Sequence, residues 1–562
     1  MKDQQSQQEP VLAHPTIGTI RGIKRLPNVI QYLGVQYAAL QDRFSRGRLL
    51  ESYPSDHARI QDGAHDATRI GPIPLSPLAG CQWEHSLIQH ALPSPEFEQS
   101  DIECLTLNLA VPDVEQEGTR TWPVLALVHG GAFATGSSSY PQYDLGHIVQ
   151  RSVEMGQPVI AVGINYRLGV PGFLHSSAME AAGYKPNNGL DDQRLGLLWI
   201  KQHISGFNGD AERVTFIGES SGAASGTFHL HSSEPLFHQL FSMSGSSLVK
   251  AKPLEAAERT FRLAAGFLGA SDKTEREQVK ALLEASKDDI RDKIGRKVPL
   301  GPVVDGHMIP RVTTYSAMAD PAEVAKLFPG MKHCRRVMFG DCQMDGSAYG
   351  PRFLLRRDML PKTLATNLAA SLDPIDPTLA QSIISSYELD TSTTSNTPES
   401  MKPVLDLATD ICFSLGARAF ASAWSESDVP NTEAFLARFN VPNPWDGPFK
   451  GQASHILDIA FALQNYREFL PAPGQRDAAD LLTGHIVEFV NGGSPWPAYN
   501  KSGAMVYYAP AEDGAQDQSG YVPNEEGERT GRRQILQQLM KQEVFDRVME
   551  AWEATMKGPP AP

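Results

Sequence analysis

The 562-residue sequence predicts an α/β protein: a mostly parallel central sheet flanked by helices, with helical insertions. Three observations lead there. Short β-branched and apolar runs recur through the first half, at Val124–Val128, Val159–Ile164 and Val214–Ile217. A helical pattern lies between the last two, from Arg194 to Ile204, with Leu195, Leu198, Trp199 and Ile200 on one face. Each run ends in a turn rich in small or polar residues, and in open parallel sheets ligand-binding groups sit on loops beyond the strand ends.

The remaining elements follow in order. Glu255 to Ile294 is rich in Ala, Leu, Lys and Glu and reads as helical. Arg336–Phe339 is a further strand, ending at Gly340. Thr391–Ser400 and Asp513–Arg533 read as surface loops, and Lys541–Met556 as a closing amphipathic helix. No internal repeat and no clear linker divides the chain. The expectation is one catalytic domain over 11–557, between a polar tail (1–10) and a Pro-rich tail (558–562).

Composition narrows the function classes. Apolar residues make up 41% and charged residues 20%, which suits a chain that buries a core and excludes disordered, collagen-like and coiled-coil chains. A net charge of −15 argues against nucleic acid as a partner. No apolar run approaches the roughly 18 residues that span a bilayer, so no membrane span is expected. The N-terminus lacks the apolar core of a signal peptide, so the expected location is cytoplasmic, or secreted if that terminus is mis-assigned. The five cysteines, Cys81, Cys104, Cys334, Cys342 and Cys412, form no zinc-type spacing. No metal and no cofactor are expected.

The strongest chemical signal is Gly218-Glu219-Ser220-Ser221-Gly222. It has the G-x-S-x-G form, an apolar run precedes it, and a small-residue helical run follows. That context puts Ser220 on a tight strand-to-helix turn with its Oγ projecting as a nucleophile. A nucleophilic serine needs donors for the charge that develops on the acyl oxygen. His129-Gly130-Gly131-Ala132-Phe133 follows its own strand and can supply them. The backbone N–H groups of Gly131, Ala132 and Ser221 are assigned as the oxyanion hole. A base and an orienting acid must follow Ser220 in the chain. Asp345, after the Arg336–Phe339 strand, and His455, with Asp458 three residues on, are candidates. Periodicity does not select them from the other Asp and His residues.

Taken together, these motifs resemble the type-B carboxylesterase/lipase family, the cholinesterase-like α/β hydrolases, and in particular its fungal-type members. Ordered matches run along most of the chain. They include Gly18-Thr19-Ile20-Arg21-Gly22, Tyr32 to Ala38, Cys104-Leu105-Thr106-Leu107-Asn108, Asn165-Tyr166-Arg167-Leu168-Gly169, Asn188 to Gln193, Ser244-Gly245-Ser246, Gly301 to Gly306, and Trp496-Pro497 with Tyr499. The resemblance implies an α/β-hydrolase fold and a small- or medium-sized carboxylic ester as substrate. It makes Ser220 the nucleophile, Asp345 the acid and His455 the base. It also makes Glu219 a modulator of site electrostatics and Ser244 a buried hydroxyl near Asp345. It further implies a Cys81–Cys104 disulfide, a pair that a reducing cytosol would leave as thiols, while Ala270 and Ala285 fall where a second one would be.

Departures from the family pattern matter. Asp345 stands where most members carry Glu, and Ala132 replaces a common glycine, so its methyl narrows the site. Trp83 lies too near Cys81 to match the aromatic that binds choline, so choline esters are not expected. Phe133 and Phe173 are candidates for an acyl or alcohol pocket. The same triad could serve a lactone, a thioester or a lipid ester in specialised metabolism. The fold without turnover would be a silent binding module.

Overall fold

The β-branched runs pair into one eleven-stranded sheet in the computed structural model. The structure describes residues 9–558 apart from 54–58, 116–120, 354–358, 390–397, 510–517, 524–531 and 541–543. In chain order the strands of the large sheet are β1 (Ile23–Leu26), β2 (Val29–Gln36), β3 (Thr106–Pro112), β4 (Trp122–Val128), β5 (Ile160–Ile164), β6 (Gly209–Glu219), β7 (Gln239–Met243), β8 (Arg336–Cys342), β9 (Glu433–Phe439), β10 (Ala504–Tyr507) and β11 (Gly520–Val522). Their spatial order is β11-β10-β9-β8-β7-β6-β4-β5-β3-β2-β1. Pairings from β5 through β10 are all parallel, and the antiparallel strands sit at the two edges. Because β6 lies centrally, both of its neighbours, β4 and β7, end on the same side of the sheet.

Alternation along β4 shows why the sheet is buried on both faces. Val124, Ala126 and Val128 join one apolar cluster, and Leu125 and Leu127 join another on the opposite face. The helix Asn188–His203 covers one face with Trp199 and Ile200, and it starts six residues earlier than the periodicity suggests. Its first turns are fixed by tertiary contacts that periodicity does not register. Asp192 accepts a forked pair of bonds from buried Arg167, Nη2 at 2.7 Å and Nε at 2.8 Å. Arg167 Nη1 also donates to the carbonyls of Arg43 and Ser45. The fork satisfies a wholly buried guanidinium and ties the chain after β5 to this helix.

Several expectations are corrected. The segment Glu255–Ile294 divides into the helices Leu254–Phe267 and Glu275–Glu284 and a π turn at Asp289–Ile294. The break falls at Gly269, and Thr274 caps the next helix in a box with Glu277. Asp513–Arg533 is not wholly loop. Gly520–Val522 adds antiparallel to β10, and Arg532 opens a helix. A three-residue edge strand has too little pattern to be read in sequence. In the Thr391–Ser400 stretch, residues up to 397 lie outside the described residues, and Pro398–Ser400 begin a helix. The closing helix spans Phe545–Lys557 and buries Phe545, Val548, Met549 and Trp552; residues 541–543 of the expected span lie outside the description. Of the two tails, only Glu9, Pro10 and Gly558 are described. Among the described residues no helix is long and apolar enough to cross a membrane.

Removing one partner of a buried fork strands the other charge. Asp192→Ala is expected to lower unfolding stability by about 3–5 kcal/mol, read from urea denaturation. A loss under about 1 kcal/mol would show that the Arg167 fork is not a structural tie.

Candidate active site

Strand β6 passes at Ser220 into the helix Ser221–His229. Ser220 sits at φ 55° and ψ −119°, a conformation that L-residues rarely adopt. Its N–H donates to the carbonyl of Met243 at 2.8 Å, at the end of β7. The flanking glycines let strand and helix meet. A Cβ on Gly222 would stand 2.0 Å from the Val128 carbonyl oxygen, and one on Gly218 would stand 2.3 Å from the Gly222 carbonyl. The turn therefore requires glycine at both places. Ser220 is half-buried, and its hydroxyl bonds no protein group among the described residues.

The loop after β4 curls beside this turn. Gly131, Ala132 and Phe133 have φ of 98°, 54° and 59° in succession. Two features hold this unusual run. The Gly131 carbonyl accepts the N–H groups of Ala134 and Thr135, and Ser221 Oγ accepts the Phe133 N–H at 3.3 Å. Tyr166 donates its hydroxyl to the His129 carbonyl at 3.1 Å. The amides of Gly131 and Ala132 donate to no protein acceptor among the described residues. The Ser221 amide, at the first position of its helix, has no intrahelical acceptor. Three free donors thus border Ser220, with Ala132 exposed.

Asp345 and His455, 110 residues apart, are brought together. Oδ1 of Asp345 lies 2.8 Å from Nδ1 of His455, and Oδ2 accepts the Cys342 N–H at 2.8 Å. The loops carrying them are laced by the Met344 N–H to the Ala453 carbonyl and by the His455 N–H to Ser347 Oγ. The other ring nitrogen, Nε2, lies 3.2 Å from Oε1 of Glu219, next to Ser220. In this structure, then, Nε2 faces Glu219 at ion-pair distance, and Glu219 Oε1 makes no hydrogen bond among the described residues.

The charges around this imidazole are strongly shifted. Burial opposes its cationic form, but Glu219 and Asp345 outweigh burial and push His455 up to about 9. Burial pushes Glu219 well above the usual carboxylate range, against the pull of His455. The two directions describe one pair that holds a proton to higher pH than either group would alone. Asp458 is pushed up to about 7, by burial and then by Asp345. Glu84 is pushed up to about 7 by burial.

Ser244 is fully buried, and its hydroxyl donates to Asp458 Oδ2 at 3.4 Å, while the oxygens of Asp345 are taken by His455 and the Cys342 amide. The Cys81–Cys104 disulfide that the resemblance implies is corrected. Cys81 and Cys104 are both free thiols. They belong to separate apolar clusters, and Cys81 Sγ lies against Gln142 Oε1 at 3.8 Å. Phe173 is core, while Phe133 is half-buried with its ring 5.0 Å from that of Phe173. Sequence reading missed Glu84, Ser347 and Lys252, single residues in no recognisable motif. Among the described residues no His, Cys, Asp or Glu group could hold a metal ion.

With this geometry in hand, the profile of the Carboxylesterase family matches residues 8–530. The chain belongs to the carboxylesterase family. Lipase 1 of Geotrichum candidum is 36% identical over 234 residues, 37% of this chain and 40% of that lipase. The chain therefore spans about two fifths of that relative. Para-nitrobenzyl esterase of Bacillus subtilis is 27% identical over 463 residues, 78% of this chain and 83% of that esterase. A solved PNB esterase structure, 24% identical, superposes with a TM-score of 0.69 over 94% of this carboxylesterase-family chain and 100% of its own. That likeness establishes the α/β-hydrolase fold, a large mostly parallel sheet flanked by helices.

The charge arrangement predicts a titration. In a Ser220→Ala background, the His455 ring resonances are expected to titrate near pH 9. Glu219→Gln removes a negative neighbour and should lower that midpoint. A midpoint near 6.5 in both proteins would show that Glu219 does not act on the imidazole.

Proposed function

We propose that this carboxylesterase-family protein hydrolyses small or medium-sized carboxylic esters through a Ser220–His455–Asp345 triad and an acyl-enzyme intermediate. The supporting observation is the bonded Asp345–His455 pair, with Nε2 facing the turn that carries an unengaged serine beside three free amides. In this reading Nε2 of neutral His455 takes the proton of Ser220 Oγ as the oxygen attacks the ester carbonyl. Asp345 keeps the other ring proton on Nδ1 and stabilises the imidazolium. The Gly131, Ala132 and Ser221 amides receive the oxyanion. The imidazolium then protonates the leaving alcohol, and water repeats the sequence to release the acid.

Glu219 gives the reaction a pH gate. While the Glu219–His455 pair holds its proton, Nε2 cannot act as a base. Because His455 is raised, kcat/KM is expected to climb with pH through a midpoint above 6.5, and Glu219→Gln should move that limb to lower pH.

The test is hydrolysis of 4-nitrophenyl acyl esters of increasing chain length. Ser220→Ala is expected to lower kcat by at least about 10⁴-fold, and Asp345→Asn by about 10³–10⁴-fold. An organophosphonate should label Ser220. Equal rates in wild type and Ser220→Ala would reject the nucleophile. No turnover and no labelling would leave the fold as a binding module.

A further inference from the structure

Lys252 follows β7 and is half-buried beside the loop that carries the free amides. Its backbone N–H donates to Pro302, and its carbonyl accepts the Val304 N–H, so it is pinned to the Gly301–Val304 segment. Gly301 leaves a small space between two groups. The position a Cβ would take there is 3.9 Å from Lys252 Nζ and 4.0 Å from Phe133 Cδ2. The ammonium and the ring next to Ala132 therefore lie within about 4 Å of the same point above Gly301.

No described carboxylate pairs with Lys252. A second cation, Arg296, likewise has no acidic partner among the described residues, and its guanidinium lies 5.0 Å over the exposed Trp83 ring. Arg352, whose guanidinium donates to the Met556 carbonyl, is near enough to lower the pKa of both. Burial, with Arg352, brings Lys252 down to about 8. A partly buried cation without a counter-charge is costly. This chain carries 65 Asp and Glu residues against 50 Lys and Arg, yet brings none of the described acids to these cations.

We infer that Lys252 is a specificity-determining residue that selects esters bearing a second, anionic group, a carboxylate. Lys252 Nζ would donate a charge-assisted hydrogen bond to that carboxylate while Ser220 engages the ester. Arg296 adds positive potential at the rim. The inference rests on the esterase reading for which bond is cleaved, and on Lys252 alone for which substrate is chosen.

Two matched pairs test it and separate the two arms of the ester. The first compares mono-4-nitrophenyl adipate with 4-nitrophenyl hexanoate, a carboxylate on the acyl arm. The second compares 4-acetoxybenzoate with phenyl acetate, a carboxylate on the alcohol arm. Wild type is expected to prefer the anionic member of at least one pair. Lys252→Met should cut that kcat/KM ratio by about 10- to 100-fold, the value of one charged hydrogen bond. Lys252→Arg keeps the cation and should keep the preference. Ratios unchanged by Lys252→Met in both pairs would overturn the inference. If wild type hydrolyses none of the four, the esterase reading fails on its own, and thermal denaturation then decides the anion site. Adipate or 4-hydroxybenzoate should raise the Tm of wild type but not of Lys252→Met; no rise in either protein would overturn it.

Discussion

A serine held at φ 55° persists only where the surrounding packing leaves it no alternative. Strain of this kind costs on the order of 1–3 kcal/mol, and here the centre of the sheet offsets it. Gly218 and Gly222 let the helix after β6 close on the end of β4, with Gly222 against the Val128 carbonyl. That same end of β4 opens the loop with the free amides, and Met243 at the end of β7 holds the Ser220 N–H. Ser220 and the free amides beside it are thus positioned by three neighbouring parallel strands ending at one level. A change in any of these contacts would move them together.

The half of the site that holds Asp345 and His455 obeys a different constraint. Asp345, Glu219, Asp458 and Glu84 are all buried near one imidazole. So many carboxyls cannot all ionise in a low-dielectric interior, and several are driven toward the neutral form. Asp345 has the best access to His455, by a direct bond and with a backbone amide on its second oxygen. Ser244 and the Ile459 amide engage Asp458 separately. Beyond the glycine-rich loop the balance reverses: among the described residues, Lys252 and Arg296 have no acidic partner.

Legibility in the sequence differs by residue. Strands β4, β5 and β6 were legible because fully buried parallel strands read as continuous apolar runs. The turn at Ser220 was legible because its glycines are steric necessities. Asp345 and His455 were not selected by pattern; only the family resemblance singled them out. The Ser244–Asp458 contact could not be read, because a hydroxyl donates to whichever acceptor the fold leaves open. Nor could the separation of Cys81 from Cys104, since a thiol pair follows three-dimensional distance. Gly520–Val522 escaped because three residues at a sheet edge carry no periodicity.

Local chemistry is what the sequence by itself determined: where strands run, where the chain must turn tightly, and that a serine stands on such a turn with a glycine-rich loop upstream. These are short-range properties, set by side-chain volume and backbone sterics over a few neighbours. Only the tertiary structure decided which acid holds His455, that Glu219 faces its Nε2, and that no described acid pairs with Lys252. Those outcomes depend on distances between residues a hundred or more positions apart. Packing of the whole sheet fixes such distances, and no local pattern encodes them.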